Sequence, residues 1–235
     1  EEQYEFLQDR VQSLRSNGYD GELLTPSEAR AIEPELNLDL LGYMYTPRRG
    51  QADPVKSTRA FAHAAENAGA SINTGQNVTA ITVRGSGGYS IQTDTAEYNC
   101  QTLVLATGAW CGPVGQMLGL KIPIVPIRGQ MWATESLPPR IFHDVSSAES
   151  SFAWSQDNGS DDSTPPNLTH KGDLRITRHL YGRQRKNGEI IFGGARQDLG
   201  YNKNPDAVGI EINRGHASEV VPLVADLTIA RTWAG

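Results

Sequence analysis

Three segments near the start of the chain carry the apolar spacing of amphipathic helices. Apolar side chains recur three and four positions apart between residues 4 and 14, and Asn-Gly at 17–18 predicts where that helix ends. The sequence TPSE at residues 25–28 offers a threonine cap, a proline for the first turn and a glutamate that can complete a capping box. A third helix is predicted after Asp53, which can cap it, and it continues through an alanine-rich stretch to Gly69.

The spacing then changes from helical to alternating, which predicts strands. Residues 78–83 and 89–93 alternate between apolar and polar side chains, and the glycine-rich run at 85–88 between them predicts a hairpin turn. The continuous apolar run at residues 102–106 is typical of a strand that is covered on both faces.

The second half of the chain predicts a further sheet. Residues 175–183 and 189–192 flank an Asn-Gly pair, which is typical of an antiparallel hairpin. The other predicted elements are an irregular extended segment at 122–132, a helix at 213–223 and a strand at 228–233. Helices beside mixed strands predict an α/β or α+β fold, with helices packed on mixed sheets.

A polar stretch interrupts this pattern near residues 145–173. Ser, Asp, Asn, Gly and Pro dominate it from residue 156 onward, and apolar residues are scarce. Such a segment cannot bury enough apolar surface to offset its chain entropy, so we expect a weakly ordered insertion.

Composition narrows the class of protein. With 21 Lys and Arg against 27 Asp and Glu, the net charge of −6 argues against a surface that binds nucleic acid. The apolar runs are too short to cross a bilayer, and no secretory leader is seen. Two cysteines, Cys100 and Cys111, are too few for a disulfide framework, which favours a reducing, cytoplasmic setting. No histidines lie at metal-ligand spacing and no Ser-His-Asp arrangement stands out, so we expect no metal and assign no catalytic residue.

Four stretches carry a resemblance to a known family. They are GYMYTP at residues 42–47, NVTAI at 77–81, LVLATGAW at 103–110 and TWAG at 232–235. In this order and spacing they resemble the D-amino-acid oxidase family of flavoproteins, which includes glycine oxidase, sarcosine oxidase and dimethylglycine dehydrogenase. The resemblance covers nearly all of the chain except the polar insertion.

The resemblance implies a division into domains. Residues 1–50 would be substrate-domain helices and an entry strand, 51–118 an interior part of a Rossmann-like FAD-binding domain, and 119–235 the substrate domain. The family's G-x-G-x-x-G turn, which holds the FAD diphosphate at a helix N-terminus, has no counterpart here. The arginine that binds the substrate carboxylate is expected just past Gly235. We therefore expect an internal fragment of an FAD enzyme that binds FAD weakly or not at all by itself.

Four residues are implied at the cofactor. Val78 would contact the adenine through its backbone N–H and C=O. Its apolar side chain by itself indicates only a position in the core of a strand. Thr107, Gly108 and Ala109 would lie beside the flavin, because a glycine at the end of a strand allows close approach. A plain turn at the end of a strand is the alternative.

Three residues are implied at the substrate. His179 and Tyr181 are two positions apart, so on a strand they share a face, and glycine oxidase has a His and a Tyr at this spacing in its substrate pocket. Arg196 stands where the family leads us to expect an apolar residue, so it would either bind an extra acidic group or face water. A half-exposed strand face beside other arginines is the alternative.

The resemblance also implies the reaction. A small amino acid or secondary amine would lose a hydride to the flavin, and His179 and Tyr181 would position it. Two alternatives remain open, a non-catalytic folded module and one subunit of a split flavoenzyme. If the chain is one subunit of a split flavoenzyme, we expect a homo-oligomer or a partner chain that covers an exposed face of the flavin domain.

Overall fold

The structure is a computed structural model that describes residues 1–149, 151–152, 170–171 and 174–235. It combines helices with several small sheets, which confirms the predicted mixed α and β class. The helices are α1 (Glu2–Ser16), α2 (Pro26–Ile32), α3 (Pro54–Asn67), α4 (Cys111–Gln116) and α5 (Ala207–Val220). The strands are β1 (Glu22–Leu24), β2 (Tyr43–Tyr45), β3 (Val78–Val83), β4 (Tyr89–Thr93), β5 (Glu97–Cys100), β6 (Arg128–Ser136), β7 (Val145–Ser146), β8 (His170–Lys171), β9 (Leu174–Arg175), β10 (Tyr181–Gln184), β11 (Glu189–Gln197) and β12 (Ile229–Ala234).

The chain divides into two compact units. Glu1–Arg49 and Pro126–Gly235 form one, called here the five-strand unit, and Gly50–Val125 forms the three-strand unit. The first is named for an antiparallel sheet in the order β12-β6-β11-β10-β7, and the second for an antiparallel sheet in the order β3-β4-β5.

The core of the five-strand unit lies between its sheet and helix α5. The Trp132 and Phe192 rings, from β6 and β11, stack at 5.7 Å between centroids, and both residues are fully buried. Ile210 and Ala217 of α5 belong to the same buried cluster. Burial of such large apolar side chains gives each about 1.5–3 kcal/mol, which makes this layer the main source of cohesion in the unit.

The predicted N-terminal caps of α2 and α3 are confirmed. The Thr25 hydroxyl accepts a hydrogen bond from the Glu28 N–H at 3.3 Å, and the Glu28 carboxylate accepts one from the Thr25 N–H at 2.8 Å. Asp53 caps α3 through the N–H groups of Val55 and Lys56 at 3.0 and 3.1 Å. These capping residues therefore act locally, as their sequence pattern indicates.

The three-strand unit confirms the hairpin of β3 and β4 but corrects two other expectations. Residues 102–106 form no strand, and Val104 is 78% exposed. None of the residues of α3 is buried, so the expected packing of strands on this helix is not formed. The physical reason is that a strand covered on both faces needs neighbours to pair and pack with, and residues 50–125 supply none for this run.

The five-strand unit shifts three predicted boundaries. The segment expected at 122–132 becomes strand only from Arg128, after the prolines, and then runs to Ser136. The strand expected at 175–183 is interrupted: Arg175 ends β9, Ile176 forms an isolated bridge with Gln197, and β10 begins at Tyr181. Helix α5 begins well before residue 213, because Asp206 caps it.

The polar stretch predicted from residue 156 to 173 lies outside the described residues, except for 170–171. These two pair with 174–175 as strands β8 and β9.

A buried arginine joins the start of β6 to the start of α5. Arg128 is 3% exposed, and its guanidinium donates hydrogen bonds to the Asp206 carboxylate, the Gln197 side-chain oxygen and the Asn204 carbonyl. Gln130 completes this Arg128 network by donating to Gln197 at 2.7 Å and accepting from the Asp206 N–H at 2.8 Å. A buried charge is tolerated only with such compensation.

Asp206 both accepts a hydrogen bond from Arg128 and caps helix α5. Its second carboxylate oxygen accepts from the Gly209 N–H at 2.7 Å, which is the N-cap bond of α5. Partial burial raises the pKa of Asp206, but the Gly209 hydrogen bond and the Arg128 charge outweigh it and lower that pKa below its ordinary value.

Substitutions at Asp206 should separate these two contributions. Asp206→Asn keeps a capping side chain and removes the charge, whereas Asp206→Ala removes both, so we expect the alanine variant to lose more stability. The cap alone is worth about 1 kcal/mol. Urea unfolding followed by circular dichroism measures both variants. Asp53→Ala is the control, since it removes a cap without a buried arginine. Equal losses for Asp206→Ala and Asp53→Ala would contradict this account.

Candidate functional site

A row of four residues crosses the face of the five-strand sheet that is opposite α5. Its members, paired directly across neighbouring strands, are Tyr181, Gly193, Met131 and Trp233. Directly paired residues of an antiparallel sheet share a side, and the adjacent Trp132 and Phe192 are buried in the core. The row therefore lies on the other side, called here the open face, where Tyr181 is 50% exposed.

A β-bulge in β11 turns Arg196 onto the open face. Gly193 pairs with Met131 but Arg196 pairs with Gly129, so β11 advances by 196 − 193 = 3 residues while β6 advances by 131 − 129 = 2. The extra residue changes which side the following side chains face. Arg196 therefore points to the same side as Gly193, while the next residue, Gln197, reaches the Arg128 network.

Gly194 lies at the centre of this bulge and has a φ of +111°. A Cβ atom here would lie 2.9 Å from the His179 carbonyl oxygen and 3.1 Å from Cδ1 of Tyr181. Glycine is required both by the backbone conformation and by this close approach. The three residues predicted for the substrate, His179, Tyr181 and Arg196, are therefore placed around Gly194.

His179 departs from its predicted position in one respect. It precedes β10 and lies outside the strand, because the ladder with β11 begins at Tyr181. Burial nevertheless alternates along this segment, since Leu180 and Gly182 are buried while His179 is half-buried and Tyr181 is exposed. This alternation is that of extended chain and keeps His179 and Tyr181 on one side.

Arg196 places a positive charge near His179, and Arg183 and Arg231 also lie on the open face because they are two positions from Tyr181 and Trp233. Burial and the Arg196 charge lower the pKa of His179 to about 4, so its imidazole is neutral at pH 7. Burial and the Arg178 charge likewise lower the pKa of His216, on α5, to about 4. The open face can therefore offer a cation, a neutral imidazole and a phenol to a small polar ligand.

The residues predicted at the cofactor all lie in the three-strand unit. Val78 is half-buried at the start of β3, where it pairs with Thr93. Thr107 follows residues 102–106, which form no strand, and its hydroxyl donates to the Cys111 sulfur at 3.3 Å. The next residues open a single 3₁₀ turn, Gly108–Trp110, with Ala109 half-buried inside it.

The turn at Gly108 and the start of α3 differ in how closely a ligand can approach their backbones. Gly108 has a φ of +55° and no atom within 4 Å of the place a Cβ would take, so a ligand can approach its backbone. Helix α3, in contrast, has its first N–H groups occupied by the Asp53 carboxylate, whose charge would repel a diphosphate. The start of α3 therefore offers no glycine-rich cradle for a diphosphate.

The comparison with known proteins identifies the family. The family described as FAD dependent oxidoreductase, DAO, matches residues 1–235, which is the whole chain. The chain belongs to this FAD-dependent oxidoreductase family.

Individual relatives place the chain within that family. Hydrogen cyanide synthase subunit HcnC of Pseudomonas protegens is 28% identical over 214 residues, which cover 90% of this chain and 44% of the relative. Glycine oxidase of Pseudomonas aeruginosa is 28% identical over 149 residues, covering 62% of this chain and 32% of the relative. The crystal structure of glycine oxidase from Bacillus cereus has a TM-score of 0.76 at 20% identity, covering all of this chain and 56% of that one, which shows a shared fold. The chain thus spans less than half the length of the two Pseudomonas relatives.

The described residues hold neither a group of metal ligands nor a helix that could span a membrane. Across the parts of the chain that the structure describes, no three His, Cys, Asp or Glu side chains are grouped as metal ligands. Across the same residues, no helix has the length and apolar character needed to cross a membrane.

Sequence reasoning missed the bulge and the partners of Tyr181 on the open face. A Gly-Gly pair inside a strand pattern is a known sign of a bulge and could have indicated Gly194. Nothing comparable marks Met131 or Trp233, because membership of the row depends on the register of β6 and β12, which the sequence does not state.

Gly194→Ala should disturb the site more than other substitutions at positive φ. We expect Gly87→Ala, at φ +88° with no atom within 4 Å of the new Cβ, to cost about 1–2 kcal/mol from backbone strain alone. Gly194→Ala adds the clash with His179 and Tyr181. Urea unfolding gives the free energies, and hydrogen exchange at the Tyr181 and Gly193 amides reports the ladder. Equal effects of the two variants would contradict the role given to Gly194.

Acid should destabilise the five-strand unit, because burial disfavours the charged form of two of its histidines. Both His179 and His216 have folded-state pKa values of about 4, below the ordinary 6.5. Between these values the unfolded chain binds more protons than the folded one, so stability falls as the pH falls from about 6.5 to about 4.

The double variant His179→Gln, His216→Gln should flatten this part of the stability profile. His63→Gln, at an exposed histidine of α3, is the control and should leave the slope unchanged. Denaturant unfolding at several pH values measures it, and an unchanged slope in the double variant would refute the assignment.

Proposed function

We propose that this chain supplies the substrate-binding sheet, and part of the FAD-binding unit, of an oxidoreductase that oxidises the C–N bond of a small amino acid or secondary amine. The observation that carries the proposal is the placement of His179, Tyr181 and Arg196 around Gly194 on the open face. Membership of the FAD-dependent oxidoreductase family supports the reaction type. Two of the relatives described above are named glycine oxidase, which supports a small amino acid as the substrate.

Each of the three side chains has a role that its chemistry allows. We assign the substrate carboxylate to the Arg196 guanidinium, which is the cation of this group. This assignment differs from the expectation given by the resemblance, in which Arg196 binds an extra acidic group and the carboxylate arginine follows Gly235. The Tyr181 hydroxyl donates to the same carboxylate, and its ring forms one wall of the site. His179, neutral at pH 7, accepts or donates a hydrogen bond without adding charge.

These residues bind and orient, and they take no proton from the substrate. In this family FAD supplies the redox chemistry by accepting the two electrons taken from the C–N unit of the substrate. The chain's own contribution is to restrict the substrate to one orientation on a rigid sheet, which lowers the entropic part of the barrier.

A second candidate is favoured by the surface of the three-strand unit. Val55, Phe61 and Val104 are 58%, 78% and 78% exposed there, and the start of α3 offers no cradle for the diphosphate of FAD. Both features suit one part of a flavoenzyme whose cofactor site is completed by another segment or by a partner chain. Weak binding of FAD by these 235 residues alone, a homo-oligomer or partner chain, and a cytoplasmic location stay predictions within this proposal.

The proposal is tested by ligand binding to the open face. Sarcosine, glycine and D-alanine are titrated into the chain while the His179 ring resonances are followed by NMR, with methylamine as a ligand that lacks the carboxylate. We expect the three amino acids to shift His179 and methylamine to have little effect, since Arg196 and Tyr181 recognise the carboxylate.

Substitutions identify the residues that bind. Loss of a charge-assisted hydrogen bond costs about 1.5–3 kcal/mol, so Arg196→Met should weaken sarcosine binding roughly 10- to 100-fold, and Tyr181→Phe should weaken it less. Arg231→Met is the matched control, because Arg231 lies in the same sheet, on β12, where it pairs with Glu189 and stacks on Trp233. Unchanged affinity in Arg196→Met would reject the site.

A further inference from the structure

Asn213 connects the buried core of the five-strand unit to the segment that carries His179. It lies on α5 and is 1% exposed. Its side-chain oxygen accepts a hydrogen bond from the Trp132 indole N–H at 2.9 Å, and its side-chain nitrogen donates to the His179 carbonyl at 3.0 Å. Both ends of one carboxamide are thus engaged, one by β6 and the other by the chain that leads into β10.

The orientation of this carboxamide is fixed by the chemistry of its partners. An indole N–H can only donate and a backbone carbonyl can only accept. Turning the amide over would set two donors against each other at Trp132 and two acceptors against each other at His179. Because Trp132 is fully buried and stacked on Phe192, it holds Asn213 in the one orientation that reaches His179.

The segment before β10 depends on such side contacts, because it lies outside the ladder. Leu180 accepts from the Ser147 N–H at 3.1 Å, and Thr177 exchanges hydrogen bonds with Arg196, each at 3.0 Å. Between these two anchors, Asn213 supplies the donor for the His179 carbonyl. A backbone carbonyl at this depth costs free energy if it has no donor.

We propose that Asn213 is a positioning residue for the substrate, acting through the His179 carbonyl. By holding that carbonyl it fixes where the His179 and Tyr181 side chains stand relative to Arg196. Asn213 is buried and touches no substrate itself. The inference rests on the proposed function, since it assigns a purpose to the geometry of the same three side chains.

Two variants at Asn213 test it. Asn213→Ala removes both hydrogen bonds. Asn213→Asp keeps an acceptor for Trp132 at nearly the same size but sets a carboxylate oxygen against the His179 carbonyl. We expect each to weaken sarcosine binding about tenfold, the usual effect of one lost buried hydrogen bond.

A second readout separates positioning from simple loss of stability. In Asn213→Ala the His179 ring should gain water, so its pKa measured by NMR should rise from about 4 toward 6.5. The other charged or titratable groups near it, Arg196 on β11, Arg178 beside it in the chain and His216 on α5, are unaltered. Hydrogen exchange at the Ser147 amide should accelerate in both variants, because its acceptor Leu180 is next to His179.

The matched control is Asn37→Ala. Asn37 also donates from its amide to a backbone carbonyl, that of Glu219 at 2.7 Å near the end of α5. Trp132→Phe removes the indole donor together with part of the buried ring, and it should reproduce part of the Asn213→Ala effect.

The outcomes distinguish this proposal from the proposed function. If Asn213→Ala and Asn37→Ala lose similar stability while the pKa of His179 and the Ser147 exchange rate stay unchanged, the positioning role is overturned. If the unsubstituted chain binds none of the amino acids, the proposed function fails, but the His179 and Ser147 readouts still decide whether Asn213 holds the segment. Should the alanine variant not fold, Asn213→Asp and Trp132→Phe provide the same comparison.

Discussion

The burial of one guanidinium is the constraint on which the five-strand unit depends. Arg128 is almost wholly removed from water, and an uncompensated charge there would cost several kcal/mol in practice. Its compensation comes from three different places in the chain, namely Asp206 before α5, Gln197 at the end of β11 and the Asn204 carbonyl. Satisfying that one charge therefore fixes the start of β6, the end of β11 and the start of α5 against each other.

The open face follows from this arrangement. Because Gln197 must reach Arg128, the end of β11 is fixed in register, and the bulge at Gly194 then determines that Arg196 faces the other way. Because α5 starts at a fixed place, Asn213 lies opposite Trp132 and within reach of the His179 carbonyl. A buried polar network on one side of the sheet thus determines the geometry of the candidate site on the other side.

Local signals in the sequence predicted the elements that local physics controls. The caps at Thr25 and Asp53 and the turn between β3 and β4 depend on residues within a few positions of one another, so their patterns were sufficient. The strand expected at 102–106 failed because its apolar character reflects a need for cover and pairing, which depends on other parts of the chain.

The candidate site was predictable only in part, for the same reason. His179, Tyr181 and Arg196 were chosen by resemblance to the D-amino-acid oxidase family, and the spacing of the first two gave their common side. The side on which Arg196 lies could not be read from spacing, because a bulge inverts the alternation. Asn213, in turn, resembles any polar residue on a helix until the register of β6 sets Trp132 opposite it.

The bulge also has an evolutionary consequence. One extra residue in β11 sends Arg196 to the open face and Gln197 to the buried network, so both placements share a single origin. An insertion or deletion between Gly193 and Gln197 would move the two together. Lineages that change the length of the segment between Gly193 and Gln197, and so the charge of the open face, must then accumulate compensating changes around Arg128. The positions near Arg196 and those around Arg128 are therefore epistatic, even though they lie on opposite sides of the sheet.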